Sequence, residues 1–265
     1  MTTITELLQL VVDKEASDLH IITGSPPTLR IDGALVFVGS DVVTHDWAEE
    51  VVLSLLTEEQ KDQFRTNREL DFSYEFQDKG RFRVNAYYQQ GQPAAALRLI
   101  HSVIRTTEEL QLPKVIHNFA VLKQGMVLVT GPTGHGKSST LAAIIEEINQ
   151  TRAEHVVTIE DPIEFLYRPK KSIISQREMK SDTHSWDVAL RSVLREDPDV
   201  VLVGEMRDYE TIAAALTVAE TGHLMLATLH TNSAAQTIDR IIDVFPEAQQ
   251  QQVRQQSHAT SSMPN

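Results

Sequence analysis

Residues 131–138, Gly131-Pro132-Thr133-Gly134-His135-Gly136-Lys137-Ser138, match the pattern G-x-x-x-x-G-K-[ST]. The spacing suits phosphate binding. Glycines let the backbone curl until its N–H groups converge on phosphate oxygens. A helix opening at the end of the loop adds the positive end of its dipole. Lys137 supplies a compact charge for the outer phosphates and Ser138 a hydroxyl for Mg²⁺, with Ser139 next in the chain and counted with the nucleotide-binding residues. His135 occupies a variable position of the loop. The bland alternative is a Gly-rich turn with no ligand. An apolar run before the loop and an amphipathic pattern after it argue against that.

Carboxylates follow at the ends of apolar runs. In Asp197-Pro198-Asp199-Val200-Val201-Leu202-Val203-Gly204-Glu205, four apolar residues read as a buried strand that delivers Glu205 at its end. In a parallel sheet that end borders the ligand crevice, and a carboxylate there can orient or deprotonate an attacking water. Gly204 stands where many ATPases carry a Mg²⁺-binding Asp, so that acid must come from elsewhere or act through water. The alternative role for Glu205 is to cap the next helix. Thr158-Ile159-Glu160-Asp161-Pro162-Ile163-Glu164-Phe165 places three carboxylates within five residues after another apolar run. Glu160 and Glu164 are candidates for water activation or water-mediated Mg²⁺ coordination, against a merely solvated acidic turn. His230, after the apolar run Leu224–Thr228, is placed to donate a hydrogen bond to a γ-phosphate. His223, before that run, is as readily a packed histidine.

These residues need elements to hold them. Gly125–Thr130 reads as a strand into the loop, and Leu141, Ile144, Ile145 and Ile148 repeat at helical spacing after it. Val156–Ile159, Val200–Val203 and Leu224–Thr228 read as buried strands, and Trp186–Arg195 and Tyr209–Thr221 as helices. Strands alternating with helices imply a parallel sheet covered on both faces, an α/β fold. The first hundred residues differ. Ile4, Leu7, Leu8 and Val11 have helical spacing, and residues 47–65 read as a helix. Asp18–Thr23, Thr28–Ile31, Ala34–Val38 and Ala94–Ile100 read as strands, with Asp32-Gly33 as a hairpin turn. Phe72, Tyr74 and Phe76 alternate, as do Phe82, Val84 and Ala86, with Lys79-Gly80 between them. This half reads as a small α+β domain on an antiparallel sheet. Residues 101–118 contain Pro113, lack a clear period and read as a linker.

Composition narrows the classes of function. A chain of 265 residues with 41% apolar and 23% charged residues has ordinary globular values, against disorder as the main state. Cysteine is absent, which excludes disulfides, Cys-ligated zinc, iron–sulfur clusters and thiol catalysis. No apolar run reaches the length of a membrane span, and the N-terminus reads as no signal peptide. With 24 basic and 37 acidic side chains the net charge is −13. That balance, without a basic stretch interleaved with aromatics, disfavours a nucleic-acid partner.

In order and spacing, the phosphate loop, the acidic Glu160–Glu164 box, the Gly204-Glu205 variant and the histidine box resemble the secretion-superfamily ATPases of type II secretion and type IV pili. Ala16-Ser17-Asp18-Leu19-His20-Ile21, Leu70-Asp71-Phe72-Ser73-Tyr74, Gly80-Arg81-Phe82-Arg83-Val84-Asn85 and Leu202-Val203-Gly204-Glu205-Met206-Arg207-Asp208 look like the PilT-type retraction ATPases. The resemblance runs from about residue 4 to Arg254. It implies a PAS-like domain over 1–100, a linker over 101–118 and a RecA-like P-loop ATPase domain over 119–254. It also implies ATP and Mg²⁺ as cofactors and a hexameric ring that drives pilus retraction and twitching motility. The location implied is the cytoplasmic face of the inner membrane at the pilus base, with an inner-membrane platform protein and a paralogous retraction ATPase as partners. The N-terminal domain would lie over a neighbour's nucleotide, making Arg81, Arg83 and Arg98 candidates for a cation supplied in trans. Arg81 and Arg83, at i and i+2, should share one face of a strand. Two alternatives stay open: a pilus-assembly or type II secretion ATPase, and a nucleotide-binding accessory ring component. Residues 255–265 are polar, aperiodic and unlike the family's helical continuation, which carries an AIRNLIRE motif. They read as a disordered or non-family tail, with the C-terminal part of the ATPase domain missing.

Overall fold

In the computed structural model, which describes residues 2–251 other than 78, 101, 102, 207, 232 and 248, the chain divides into units 1–102 and 103–265. The expected tail, 255–265, lies outside the described residues.

The first unit begins with α1 (Ile4–Asp13), where Thr3 and Glu6 form a reciprocal capping box. Then come β1 (Asp18–Ile21), β2 (Thr28–Ile31), β3 (Ala34–Phe37), α2 (His45–Ser54), α3 (Glu58–Asn67), β4 (Glu69–Phe76), β5 (Gly80–Gln89) and β6 (Gln92–Ile100). The six strands form an antiparallel sheet in the order β3-β2-β1-β6-β5-β4. Strand alternation sends Phe72, Phe76, Phe82, Val84 and Leu97 into one core with Leu7, Leu8 and Val11 of α1. At the β2–β3 turn Asp32 and Gly33 both have positive φ, 48° and 81°, as the hairpin signal required. The single helix expected over 47–65 is instead two. Thr57 opens α3 with a second capping box closed by Gln60, a T-x-x-Q signature that breaks the run.

The second unit contains α4 (Ile116–Val121), β7 (Gly125–Thr130), α5 (Lys137–Thr151), β8 (His155–Glu160), β9 (Ile173–Glu178), α6 (Trp186–Val193), β10 (Val200–Val203), α7 (Tyr209–Glu220), β11 (Leu224–Leu229) and α8 (Ala234–Asp243). Its strands form a wholly parallel sheet in the order β7-β11-β10-β8-β9. Every residue of β10 and β11 is buried. Each face has its own core: Val157, Ile159, Val201 and Val203 with α6, α7 and α8, and Val156, Val200 and Leu202 with α4 and α5. This is the expected doubly covered α/β architecture. The sequence pattern gave no sign of α4, β9 and α8. The first of these begins within the segment read as linker, 101–118, and runs past its end.

Candidate nucleotide site

A parallel sheet gathers the residues after its strands along one edge. Following the strand order, that edge carries Gly131 after β7, His230 after β11, Gly204 and Glu205 after β10, and Glu160 ending β8. Segments far apart in sequence therefore become neighbours in the order phosphate loop, histidine, Glu205, acidic box.

The loop has the backbone its glycines permit. Gly131, Gly134 and Gly136 hold φ of 149°, 79° and 80°, a region closed to side-chain-bearing residues without strain. Residues 132–136 are exposed, whereas Lys137, Ser138 and Ser139 begin α5. Gly136, in the left-handed conformation, is the N-cap of that helix. The Lys137 side chain is buried, and its Nζ donates to the carbonyls of Gly131 at 2.9 Å and Pro132 at 3.0 Å, so the ammonium lies within the loop it would serve. The Gly131 amide donates to the Leu229 carbonyl at 3.3 Å, which ties the loop to the end of β11 beside His230. His135 remains local, its Nδ1 3.1 Å from the Thr133 carbonyl.

Glu205 and His230 meet across the edge, with His230 Nε2 3.3 Å from Glu205 Oε1. Capping of α7 falls to Asp208, which accepts from the Thr211 amide at 2.9 Å and from its hydroxyl. These bonds hold the Asp208 carboxyl below the usual range. Glu205 therefore does not have the capping role considered for it. Thr228, on β11, donates its hydroxyl to the Gly204 carbonyl and accepts the Met206 amide at 3.2 Å through its own carbonyl. These contacts fix the backbone on both sides of Glu205. Gly204 has a steric reason to lack a side chain. A Cβ there would come within 3.3 Å of Glu160 Cα and 3.5 Å of the Ile159 carbonyl, so any side chain at this position would press on the backbone of β8.

The acidic box divides in two. Asp161 and Glu164 are exposed, but Glu160 is buried. Glu160 Oε1 accepts the Thr158 hydroxyl at 2.7 Å, and Oε2 faces the Glu164 amide at 3.4 Å. Burial pushes the Glu160 carboxyl up to about 7, against these hydrogen bonds. Both oxygens are thus turned toward the protein's own donors, whereas Glu164 can reach solvent. Gln176 and Glu178, on the unforeseen β9, complete the surroundings. Glu178 Oε2 accepts the Ile163 amide at 3.1 Å. Only the strand itself would have revealed either residue.

His223 is structural. It precedes β11 at the opposite end of the sheet, with Nδ1 3.0 Å from the Thr221 hydroxyl and 3.1 Å from the Val218 carbonyl. In the first unit, Arg83 on β5 lies directly opposite Arg98 on β6, so these two and Arg81 share a sheet face. Arg83 is exposed. Arg98 is engaged by Asp18, Nε to Oδ1 2.9 Å, a pairing the sequence did not disclose. Burial of Asp18 opposes its ionisation, but bonds from Ser17 and Arg98 outweigh that and hold its carboxyl low.

Among the described residues no cluster of three or more His, Cys, Asp or Glu side chains is arranged to hold a metal. The available donors are the Ser138 hydroxyl and carboxylate oxygens, hard ligands of the kind that hold Mg²⁺ together with phosphate and water.

A covered parallel sheet with a phosphate loop, a carboxylate and a histidine on its carboxyl edge defines a RecA-like P-loop nucleotide-binding domain. The family model for Type II/IV secretion system proteins matches residues 1–255, and the chain belongs to that family. It is 48% identical over 251 residues to the Type IV pilus retractation ATPase PilT of Pseudomonas aeruginosa, covering 95% of this chain and 73% of that protein. It is 50% identical over 228 residues to a twitching motility protein of Neisseria gonorrhoeae, covering 86% of this chain and 61% of that protein. The crystal structure of the pilus retraction motor PilT with bound ADP matches with a TM-score of 0.94 at 45% identity, over 98% of this chain and 76% of that one.

Proposed function

We propose that the chain is an ATPase subunit that assembles as a homohexamer and powers type IV pilus retraction and, through it, twitching motility. The observation that carries this reading is the single sheet edge on which the loop, His230, Glu205 and Glu160 stand side by side. The relatives named for pilus retraction and the motor structure with ADP support it.

In this reading the loop amides from Gly131 to Gly136 and the Lys137 ammonium hold the phosphates. Ser138 supplies a ligand to Mg²⁺, and that ion, when bound, neutralises charge on the outer phosphates. Glu205 orients and deprotonates the attacking water, while His230 steadies Glu205 and offers a hydrogen bond to the γ-phosphate. Glu164 is the second carboxylate able to reach that water. Glu160 acts from behind it by holding its backbone. Arg83, with Arg81 and Arg98, supplies a cation to a neighbouring subunit's site.

Partners in this reading are other copies of the chain, a paralogous retraction ATPase and an inner-membrane platform protein at the cytoplasmic face of the pilus base. No helix among the described residues is long and apolar enough to cross a membrane. Light scattering and turnover together test the proposal. ATP hydrolysis dependent on Mg²⁺ from a species of six subunits is expected. A monomer that hydrolyses ATP overturns the ring, and absence of turnover overturns the motor.

A further inference from the structure

Between β8 and β9 the chain runs from Asp161 to Ser172 without helix or strand, although the two strands are adjacent and parallel. A parallel crossover is usually made by a helix, which satisfies its own backbone. Here irregular backbone must find other partners. Side chains provide several of them. Glu178 takes the Ile163 amide, and Asn149 of α5 accepts the Lys170 amide and donates to the Arg168 carbonyl, both at 2.9 Å.

Gln176 does more than these. It stands opposite Thr158 in the β8–β9 register, one pleat from the pair Glu160 and Glu178. Its Oε1 accepts the Tyr167 amide at 2.9 Å, and its Nε2 donates to the Phe165 carbonyl at 2.8 Å. The same Nε2 lies 3.5 Å from Glu160 Oε1. One side chain thus bonds the loop at two backbone positions just after Glu164 and also faces the carboxyl that receives the Glu164 amide. A side-chain amide has both donors and acceptors for this, whereas an apolar residue would leave backbone groups without partners in a buried setting.

We infer that Gln176 is a positioning residue for the hydrolytic step, fixing Glu164 at the carboxyl edge by clamping the segment Phe165–Tyr167 and bracing Glu160. The inference rests on the proposed reading of the edge as an ATP-hydrolysing site. Gln176 touches neither nucleotide nor water in this account. Its effect is to place a carboxylate, and small misplacements in an active site cost up to about a hundredfold in rate.

The test is a double-mutant cycle on the full chain, with steady-state ATP turnover and binding of a fluorescent N-methylanthraniloyl ADP as separate readouts. Gln176→Met keeps the length of the side chain and removes its hydrogen bonds. It should lower kcat about ten- to a hundredfold while leaving affinity for the ADP probe within about twofold. If Gln176 acts through Glu164, the double variant Gln176→Met/Glu164→Gln should be no slower than Glu164→Gln alone. A merely structural role would weaken ADP binding in parallel or give losses that multiply, and either result overturns the inference, as does unchanged kcat in either single variant. Should Gln176→Met fail to fold, Gln176→Glu keeps the acceptor for Tyr167 and loses the donors to Phe165 and Glu160; the same criteria apply. Glu205→Gln in the same series separates the two claims. If it loses turnover while Gln176→Met does not, the positioning role is wrong and the site stands. If Glu205→Gln keeps full turnover, the reading of the site itself is wrong.

Discussion

Glu205 and His230 lie 25 positions apart in the chain, yet His230 Nε2 stands 3.3 Å from Glu205 Oε1. The contact arises because β10 and β11 run parallel and in register, Val203 opposite Ala227, so that each strand releases its polar residue on the same edge. A carboxylate held by an imidazole has a restricted set of orientations, which is what a water-directing group needs.

That contact makes His230 a support for Glu205. His230→Asn should lower turnover about tenfold, less than loss of the carboxylate itself, with ADP binding retained. Steady-state kinetics beside a binding titration check the split. A variant that loses both together would place His230 in nucleotide binding instead.

Lys137 works at binding, the earlier stage. Its ammonium is held among the loop carbonyls of Gly131 and Pro132, where outer phosphates would approach. Lys137→Ala should abolish measurable turnover and weaken ADP binding at least about tenfold. Calorimetric titration with ADP and Mg²⁺ is the measurement, and wild-type affinity would remove Lys137 from the site.

Glu160 gives a pH signature in stability. Its carboxyl titrates at about 7 in the folded protein against an ordinary value of 4.5. Between those values the folded state holds a proton that the unfolded chain releases, so this group's contribution to stability falls as pH rises from 4.5 through 7. Burial is the cause, and the loss is of order 3 kcal/mol at most. Glu160→Gln cannot ionise. Its Tm relative to wild type should therefore rise between pH 5 and pH 8, as followed by calorimetry. A difference independent of pH would show that Glu160 is ionised throughout.

His117 should show a different window. Its Nδ1 lies 2.9 Å from Glu147 Oε2 and its Nε2 3.2 Å from Glu108 Oε1. The hydrogen bond that His117 donates to the Glu147 carboxylate chiefly raises its affinity for a proton. The resulting stability is fully present below the ordinary histidine value of 6.5 and is lost as pH rises past the elevated folded value. The Tm deficit of His117→Asn should be larger at pH 6 than at pH 9. An equal deficit at both would mean the neutral imidazole does the holding.

The arginines of the first unit test the ring. If Arg83 acts on a neighbour's nucleotide, Arg83→Ala and Glu205→Gln subunits should each be inactive, and mixing them should recover turnover above the sum of the separate samples. Mixed rings that form by a subunit-exchange assay without any such excess contradict the role in trans.

Much of this site was legible because its signals are local. The loop's glycines fix their own backbone, and Gly125–Thr130 and Val200–Val203 are apolar runs bounded as the strands are. Asp32-Gly33 carries its turn type in its residues. What was hidden depends on tertiary context. Ile173–Glu178 reads IISQRE, with only two apolar residues, and becomes a strand because β8 offers a free edge to pair with. Gln176 and Glu178 were invisible for that reason. The burial of Glu160 was equally hidden, since a run of acids in sequence looks solvated until a neighbouring strand and Gly204 close over one of them. The break between α2 and α3 was different: Thr57 and Gln60 spelled it out, and the longer helical period masked it.

The central claim is that Glu205 activates the water that attacks ATP on this edge. The most direct measurement compares MgATP turnover of purified wild type and Glu205→Gln at saturating ATP, with ADP binding measured on the same samples. The account predicts that the variant binds ADP as wild type does and loses about 10²–10⁴-fold in turnover. Equal turnover in the two would contradict it and move the search for the base to Glu164.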